Sequence, residues 1–331
     1  MSTILVTGGT GFLGAYIIRD LVNAGYTVRA IRRSKHIPFF IDPEIFKKVQ
    51  WFDCDLGDIA GLEEAMTGAD AVIHAAGKVS FREKDGQEMR ATNIEGTANL
   101  VNIALEKKTG RFIHVSSVAA LDKQPDGKLT NEEKKWDEHK KHTRYAVSKY
   151  HAEMEVWRGI AEGLNAVIAN PTTILGYGDW NASSCALFKN GYKGFPWYSS
   201  GGSGFVDVED VSKAILLLLQ SDIAAERFII NGDNWPFRRV FNAIADAFGK
   251  KRPYRKATPF LGALAWRVEA IRSFFTDKKS LVTRETARMA RHTVCFDNSK
   301  ILKALPGFSF TPLDQTINKA CNQYAARLQR L

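Results

Sequence analysis

Seven short segments rich in Val, Ile and Ala recur through the first 230 residues: "TILVTG", "YTVRAI", "VQWF", "DAVIHAA", "RFIHVSS", "NAVIAN" and "RFIING". Longer stretches with helical spacing separate them. This alternation predicts a parallel sheet with helices on both faces. The apolar runs lack polar alternation, which fits strands buried on both sides. There is no internal repeat and no low-complexity tract.

After "NAVIANPTTILGYGDW" the pattern breaks, and residues 178–204 carry Gly, Ser and aromatic residues without periodicity. A long binding loop is expected there. Helical spacing resumes in "FVDVEDVSKAILLLLQS". A second helical module follows, with Pro236 suited to a first helical position and Gly249 to a stop. Thr311 and Pro312 open a terminal helix with Leu313, Ile317, Ala320, Tyr324 and Leu328 at helical spacing.

With 331 residues, 45% of them hydrophobic, the chain can bury a large core, and disorder is excluded. Its four cysteines, Cys54, Cys185, Cys295 and Cys321, lie far apart without C-x-x-C spacing. Neither a zinc site nor a disulfide framework is expected, and a reducing cytoplasm fits. "MSTILVTGG" runs directly into a strand pattern, without the n- and h-regions of a signal peptide. The longest strongly apolar run, "AILLLL", falls far short of the ~20 residues that cross a bilayer. The net charge of +10 is concentrated after residue 233, where 19 Lys/Arg face 6 Asp/Glu. Such a bias suits an anionic substrate or a membrane surface, or simply solvates helix faces; no nucleic acid partner is expected.

"VTGGTGFLGAYIIRDLV" follows the first strand and opens a helix. Gly8, Gly11 and Gly14 stand three apart, where a missing Cβ lets the backbone turn sharply and approach a pyrophosphate. The phosphates would rest on free N–H groups at the helix start. The second strand ends "VRAIRRSKH", with no acid to accept from a ribose 2′-hydroxyl. Arg32 and Arg33 instead offer guanidinium forks suited to a 2′-phosphate. NADP(H) is therefore favoured over NAD(H).

"TRYAVSKYHAE" sets Tyr145 and Lys149 at i and i+4, on one side of a helix. Reducing a carbonyl leaves an alkoxide that needs a proton from an acid near the operating pH. Free tyrosine titrates near ~10. An ammonium ~4 Å away is worth about 1 kcal/mol in water but about 4 at an effective dielectric near 20. At ~1.36 kcal/mol per pKa unit, only the second case brings tyrosine near neutrality. The pair needs a water-poor cleft. Ser-His-Asp hydrolysis is disfavoured, since "SSV" lacks the glycines of a nucleophile elbow. Metal catalysis has no His or Cys cluster.

The G-x-x-G-x-x-G turn, "DCDLGD", "HAAG", "TNIEGT", "SS", Tyr145 and Lys149, in this order, resemble the short-chain dehydrogenase/reductase superfamily. The likeness is to its extended branch of nucleotide-sugar epimerases, dehydratases and dihydroflavonol-reductase-like enzymes. It implies a Rossmann-type α/β fold with a doubly wound parallel sheet. Residues 1–170 would form the dinucleotide-binding domain, its sheet completed by about 204–233. Residues 171–203 and 234–331 would form a smaller, mainly helical substrate-binding module.

The resemblance assigns Ser117 to hold the substrate oxygen beside Tyr145, with Ser116 the alternative if the match is off by one. Lys149 would lower the tyrosine pKa and donate to the nicotinamide ribose. Thr7, Gly8, Gly11, Phe12, Leu13 and Gly14 would cradle the dinucleotide, and Arg33 matches the family's phosphate-binding arginine best. Asp55 would bond the adenine, with Leu56 against the ring. Ala75, Ala76 and Gly77 would let the cofactor pass close to the backbone, and Pro171 and Thr172 would lie near the nicotinamide. His74 reads as a core histidine and Asn93 as structural. Lys78 and Ser80 point toward substrate. Tyr177, Trp180 and Trp197 either line an apolar pocket or pack the loop onto the second module. "FLGALAWRVEAIRSFF" is either a domain-core helix or a lid or membrane-surface helix. Relatives often form homodimers through two helices.

The expected activity is NADP(H)-dependent reduction of a ketone or aldehyde on a small organic molecule. A nucleotide-sugar epimerase or dehydratase with the same Ser-Tyr-Lys set is the alternative. A non-catalytic NADP-sensing protein is the third reading, against which the intact trio argues.

Overall fold

The computed structural model describes residues 2–124, 127–257 and 290–330. The seven segments all form strands of one sheet. The first five are β1 (Thr3–Thr7), β2 (Thr27–Arg32), β3 (Val49–Asp53), β4 (Ala71–His74) and β5 (Arg111–Val115). The last two span Ala166–Pro171 and Glu226–Ile230. From one edge the order is Glu226–Ile230, Ala166–Pro171, β5, β4, β1, β2, β3, and every pairing is parallel.

Side chains alternate between two cores, as a period of two requires. Ile4, Val6, Ala71 and Ile73 enter one, and Leu5, Val72, Phe112 and Ile168 the other. The helix α1 (Phe12–Asn23) covers the first face with Ala15, Tyr16, Ile17, Ile18 and Leu21. Leu100, Val101 and Ala104 of the helix Gly96–Glu106 cover the second, with Val156 of the helix Arg144–Ala161. The chain runs outward from β1 to β3 and then crosses back to β4. That reversal opens a crevice at the carboxyl ends of β1 and β4, where ligands of such sheets bind.

The second module has its own core. A three-stranded sheet of Thr173–Leu175, Gly202–Asp207 and Asp233–Pro236 carries Leu175, Phe205 and Trp235. Against it pack Val240 and Ile244 of the helix Phe237–Ala247, and Leu313, Ile317 and Tyr324 of the terminal helix Leu313–Leu328. Pro236 stands one position before the helical residues, and Gly249 follows the helix with φ +62°. Residues 178–204 depart from the expected loop. They hold a helix, Ala186–Tyr192, and a short strand, Trp197–Tyr198. The helix is only seven residues long and is fixed by the buried Phe188, too short for periodicity to reveal. "FLGALAWRVEAIRSFF" lies outside the described residues.

All four cysteines are free, and no described group of His, Cys, Asp and Glu could hold a metal ion. No described helix is long and apolar enough to cross a membrane.

Candidate active site

A cleft of about 2980 Å³ follows the carboxyl ends of the strands, from Arg32 and Arg33, past the glycine turn, to Ser117, Tyr145 and the second module. Gly8 has φ +73°, and a Cβ there would lie 2.6 Å from the backbone N of Ala76. A Cβ on Gly14 would lie 2.1 Å from the Gly8 carbonyl oxygen. The turn closes through Gly11 N–H donating to Gly8 O at 2.9 Å. Gly11 also begins α1 without a side-chain cap, so the first helical N–H groups face the cleft unused by side chains. Gly8, Gly11, Phe12 and Leu13 line the cleft.

Thr7 differs from expectation. It is fully buried behind the turn, where its hydroxyl pairs with His74 Nδ1 at 2.7 Å and accepts from Ala76 N at 3.2 Å. It ties β1 to β4 and supports the cradle from behind. Gly14 acts likewise through packing. His74 Nε2 meets Thr97 Oγ1 at 2.9 Å, and burial, aided by the Lys149 charge, pushes the imidazole down to about 3. It is a neutral strut, as the sequence suggests.

Arg32 and Arg33 part company. Arg32 Nε donates to Asp53 Oδ1 at 2.6 Å across β2 and β3, and its guanidinium lies 5.2 Å from the Trp51 ring. A carboxylate already occupies the fork assigned to a 2′-phosphate. Arg33 is exposed on the cleft wall. Asp55 is exposed, its Oδ1 accepting from Gly57 N at 2.7 Å, while Leu56 is buried. Gly96 permits Leu56 to lie against its helix, since a Cβ there would fall 2.6 Å from Leu56 Cβ.

Across the cleft stands the trio. Ser117 leaves β5 in extended conformation, and its hydroxyl accepts from Ala119 N at 3.1 Å. Burial raises the Tyr145 pKa, and the Ser117 hydroxyl partly offsets this. Phe81 meets the tyrosine ring edge-on at 5.8 Å. Lys149 is buried, and Nζ donates to Val115 O at 3.1 Å. Burial drives its pKa down to about 8, opposed by Glu153. The expected strong pull of Lys149 on the phenol is absent in this geometry, because the ammonium is directed at the end of β5. Gly77 lies beside it: a Cβ there would be 3.3 Å from Nζ.

Ser116 is separated from Ser117 by strand alternation. It donates to Glu153 Oε2 at 2.9 Å, inside the protein. Glu153, absent from the sequence reading, is fully buried and also accepts from Asn170 Nδ2 at 2.9 Å and pairs with Arg227 at 3.0 Å. Its position four residues beyond Lys149 was the available signal. Asn93 is structural: it exchanges hydrogen bonds with the Lys78 backbone at 2.7 and 2.9 Å and donates to Ser148 Oγ at 3.0 Å.

Of the residues assigned to substrate, Lys78 lines the cleft but is ion-paired with Glu88. Ser80 is committed to Asp85 at 2.6 Å, which in turn pairs with Arg82 at 2.9 Å. Tyr177, Trp180 and Trp197 are absent from the cleft lining. Tyr177 and Trp180 pack on Tyr324, with centroids at 4.8 and 5.6 Å. Trp197 lies under Arg255 at 5.4 Å. The aromatic loop serves the second module. Pro171 and the buried Thr172 do line the cleft, but the Thr172 hydroxyl bonds Asn231 Oδ1 at 3.1 Å. Toward the second module the wall consists instead of Val118, Leu121, Ile174, Leu187 and Phe237.

The glycine cradle fits a dinucleotide: Gly8 and Gly14, where a Cβ would collide with backbone, fold the turn so that Gly8 and Gly11 line the cleft floor. The model of the NAD dependent epimerase/dehydratase family matches residues 4–231. A Synechocystis sp. protein under the provisional name dihydroflavonol 4-reductase is 29% identical over 307 residues, covering 91% of this chain and 88% of that one. Cinnamoyl-CoA reductase 1 of Petunia hybrida is 30% identical over 240 residues, 68% of this chain and 71% of its own. The crystal structure of gox2253 superposes with a TM-score of 0.83 at 29% identity, covering 99% of both chains. With the glycine cradle, the parallel sheet and these matches, the chain belongs to the NAD-dependent epimerase/dehydratase family, enzymes of the extended short-chain dehydrogenase/reductase type.

Proposed function

We propose that the protein is an NADPH-dependent reductase of a ketone or aldehyde on a small, partly aromatic or alicyclic molecule. The observation that carries this reading is that Ser117, Tyr145 and the buried Lys149 line one cleft together with the glycine cradle. The bound cofactor supplies hydride. Ser117 orients the carbonyl oxygen, and Tyr145 gives it a proton as negative charge develops there. Lys149, held at the end of β5, orients the cofactor ribose. The apolar wall of Val118, Leu121 and Phe237 favours a hydrocarbon body on the substrate. Two of the relatives are named as reductases, which supports the same direction of chemistry.

Preference for the phosphorylated cofactor rests on Arg33. No acid ends β2, and Arg33 is exposed there while Arg32 is held by Asp53. The family description sustains a second reading, epimerisation or dehydration of a nucleotide sugar. A screen of NADPH oxidation against aldehydes, ketones and nucleotide sugars, with NADH in parallel, separates these. Net NADPH consumption that Tyr145→Phe lowers at least ~100-fold supports reduction. Sugar isomerisation without net consumption replaces it. NADP binding with no turnover, unchanged by Tyr145→Phe, would indicate a sensor.

A further inference from the structure

The second module presents a ribbon of cations, several of which face aromatic rings. Five of the seven residues 250–256, "KKRPYRK", are Lys or Arg, and all five are exposed. The ribbon is fixed to the module by its backbone. Arg255 and Lys256 pair in parallel with Trp197 and Tyr198, and Tyr254 N, Arg255 N and Ala257 N donate to Pro196 O and Tyr198 O at 2.8–3.1 Å.

Among the described residues, Arg252 alone of the five pairs with a carboxylate, Asp246, at 2.7 Å. Lys250 lies 5.1 Å from the Tyr192 ring, Lys251 4.5 Å from Tyr254, and Arg255 5.4 Å from both Trp197 and Tyr254. Beside them Arg238 lies 4.4 Å from Tyr198. Tyr254 is 55% and Phe195 43% exposed, so apolar surface stands among the charges. The cleft opens elsewhere: none of these residues lines it.

We propose that this ribbon is a docking surface for an anionic phospholipid membrane. A row of exposed cations, of which only Arg252 pairs with a described carboxylate, is complementary to acidic headgroups. Amphipathic rings among them suit the headgroup boundary, where Tyr and Trp settle with one end apolar and the other wet. Single-stranded nucleic acid is disfavoured because its bases need ring faces for stacking, and here cations already cover faces of Tyr192, Tyr198, Trp197 and Tyr254. Each cation at an acidic surface contributes about fivefold in partitioning. Lys250, Lys251, Arg255 and Lys256 together supply on the order of several hundredfold.

The test is co-sedimentation of the full chain with vesicles of phosphatidylcholine alone or with about a third phosphatidylserine, at low and high salt. The expected result is binding to the acidic vesicles only, lost at high salt. A variant with Lys250→Gln, Lys251→Gln, Arg255→Gln and Lys256→Gln should lose at least ~50-fold of that partitioning while thermal midpoint and NADPH affinity stay unchanged. Tyr254→Ser should weaken it several-fold without altering its salt dependence. Equal sedimentation with both vesicle types would overturn the proposal. So would undiminished binding of the fourfold variant, or a single-stranded RNA that binds the ribbon where acidic vesicles do not.

Discussion

Replacing Lys149 with Met should make the protein more stable and abolish its activity. Lys149 is 6% exposed, and burial lowers its pKa from 10.5 to about 8. At ~1.36 kcal/mol per unit, keeping it charged at neutral pH costs about 3 kcal/mol of folding stability. Met keeps the stem and removes the charge. The Val115 carbonyl loses a donor, which returns ~1 kcal/mol of the gain. Lys149→Met should therefore unfold about 2 kcal/mol later in urea at pH 7, with turnover at least ~100-fold lower. The sign of the pH dependence follows from the depressed folded pKa. Between about 8 and 10.5 the unfolded lysine keeps its proton and the folded one has released it. Wild-type stability therefore rises across that window, and the advantage of the variant, full below it, disappears above it. Urea denaturation at pH 7 and pH 10 measures both. A variant no more stable than wild type at pH 7, or an advantage independent of pH, would refute the reasoning.

The two adjacent serines should separate cleanly. Ser116→Ala removes a donor to the buried Glu153 and should cost ~1–3 kcal/mol in urea denaturation with turnover retained. Ser117→Ala should leave stability nearly unchanged and lower turnover ~100-fold in steady-state assays. Gly14→Ala forces a methyl toward the Gly8 carbonyl and should cost ~1–3 kcal/mol while weakening NADPH binding in a fluorescence titration. His74 is held neutral with a pKa of about 3, whereas the unfolded residue protonates below ~6.5. Stability should fall as pH drops from ~6.5 toward 3, by about 3 kcal/mol at pH 4, and His74→Asn should flatten that limb.

Much of the site was legible because its parts are local in sequence. The glycine turn, "HAAG" and Tyr-x-x-x-Lys each act through spacing within a few residues, and each lines the cleft. Less legible were side chains with two competing partners. Arg32 and Ser80 have the right chemistry for a ligand, yet each is claimed by an acid, Asp53 for one and Asp85 for the other. Asp53 pairs across strands 21 residues apart, beyond any local pattern. For the aromatic loop, which the sequence left open between a pocket and packing, the structure takes the second. Tyr177 and Trp180 pack against Tyr324, more than 140 residues away, and apolar rings serve a core as readily as a pocket.

The sequence alone determined the sheet, because unbroken apolar runs at βα spacing admit little but a doubly covered parallel architecture. It also determined the cradle, since glycine alone tolerates those backbone approaches. Tertiary structure decided the rest: which serine is tied to the buried Glu153, which arginine is held by an acid, and how far burial opposes the Tyr145–Lys149 pair. Those outcomes depend on desolvation and on partners distant in sequence, and desolvation is a property of the packed volume around a group.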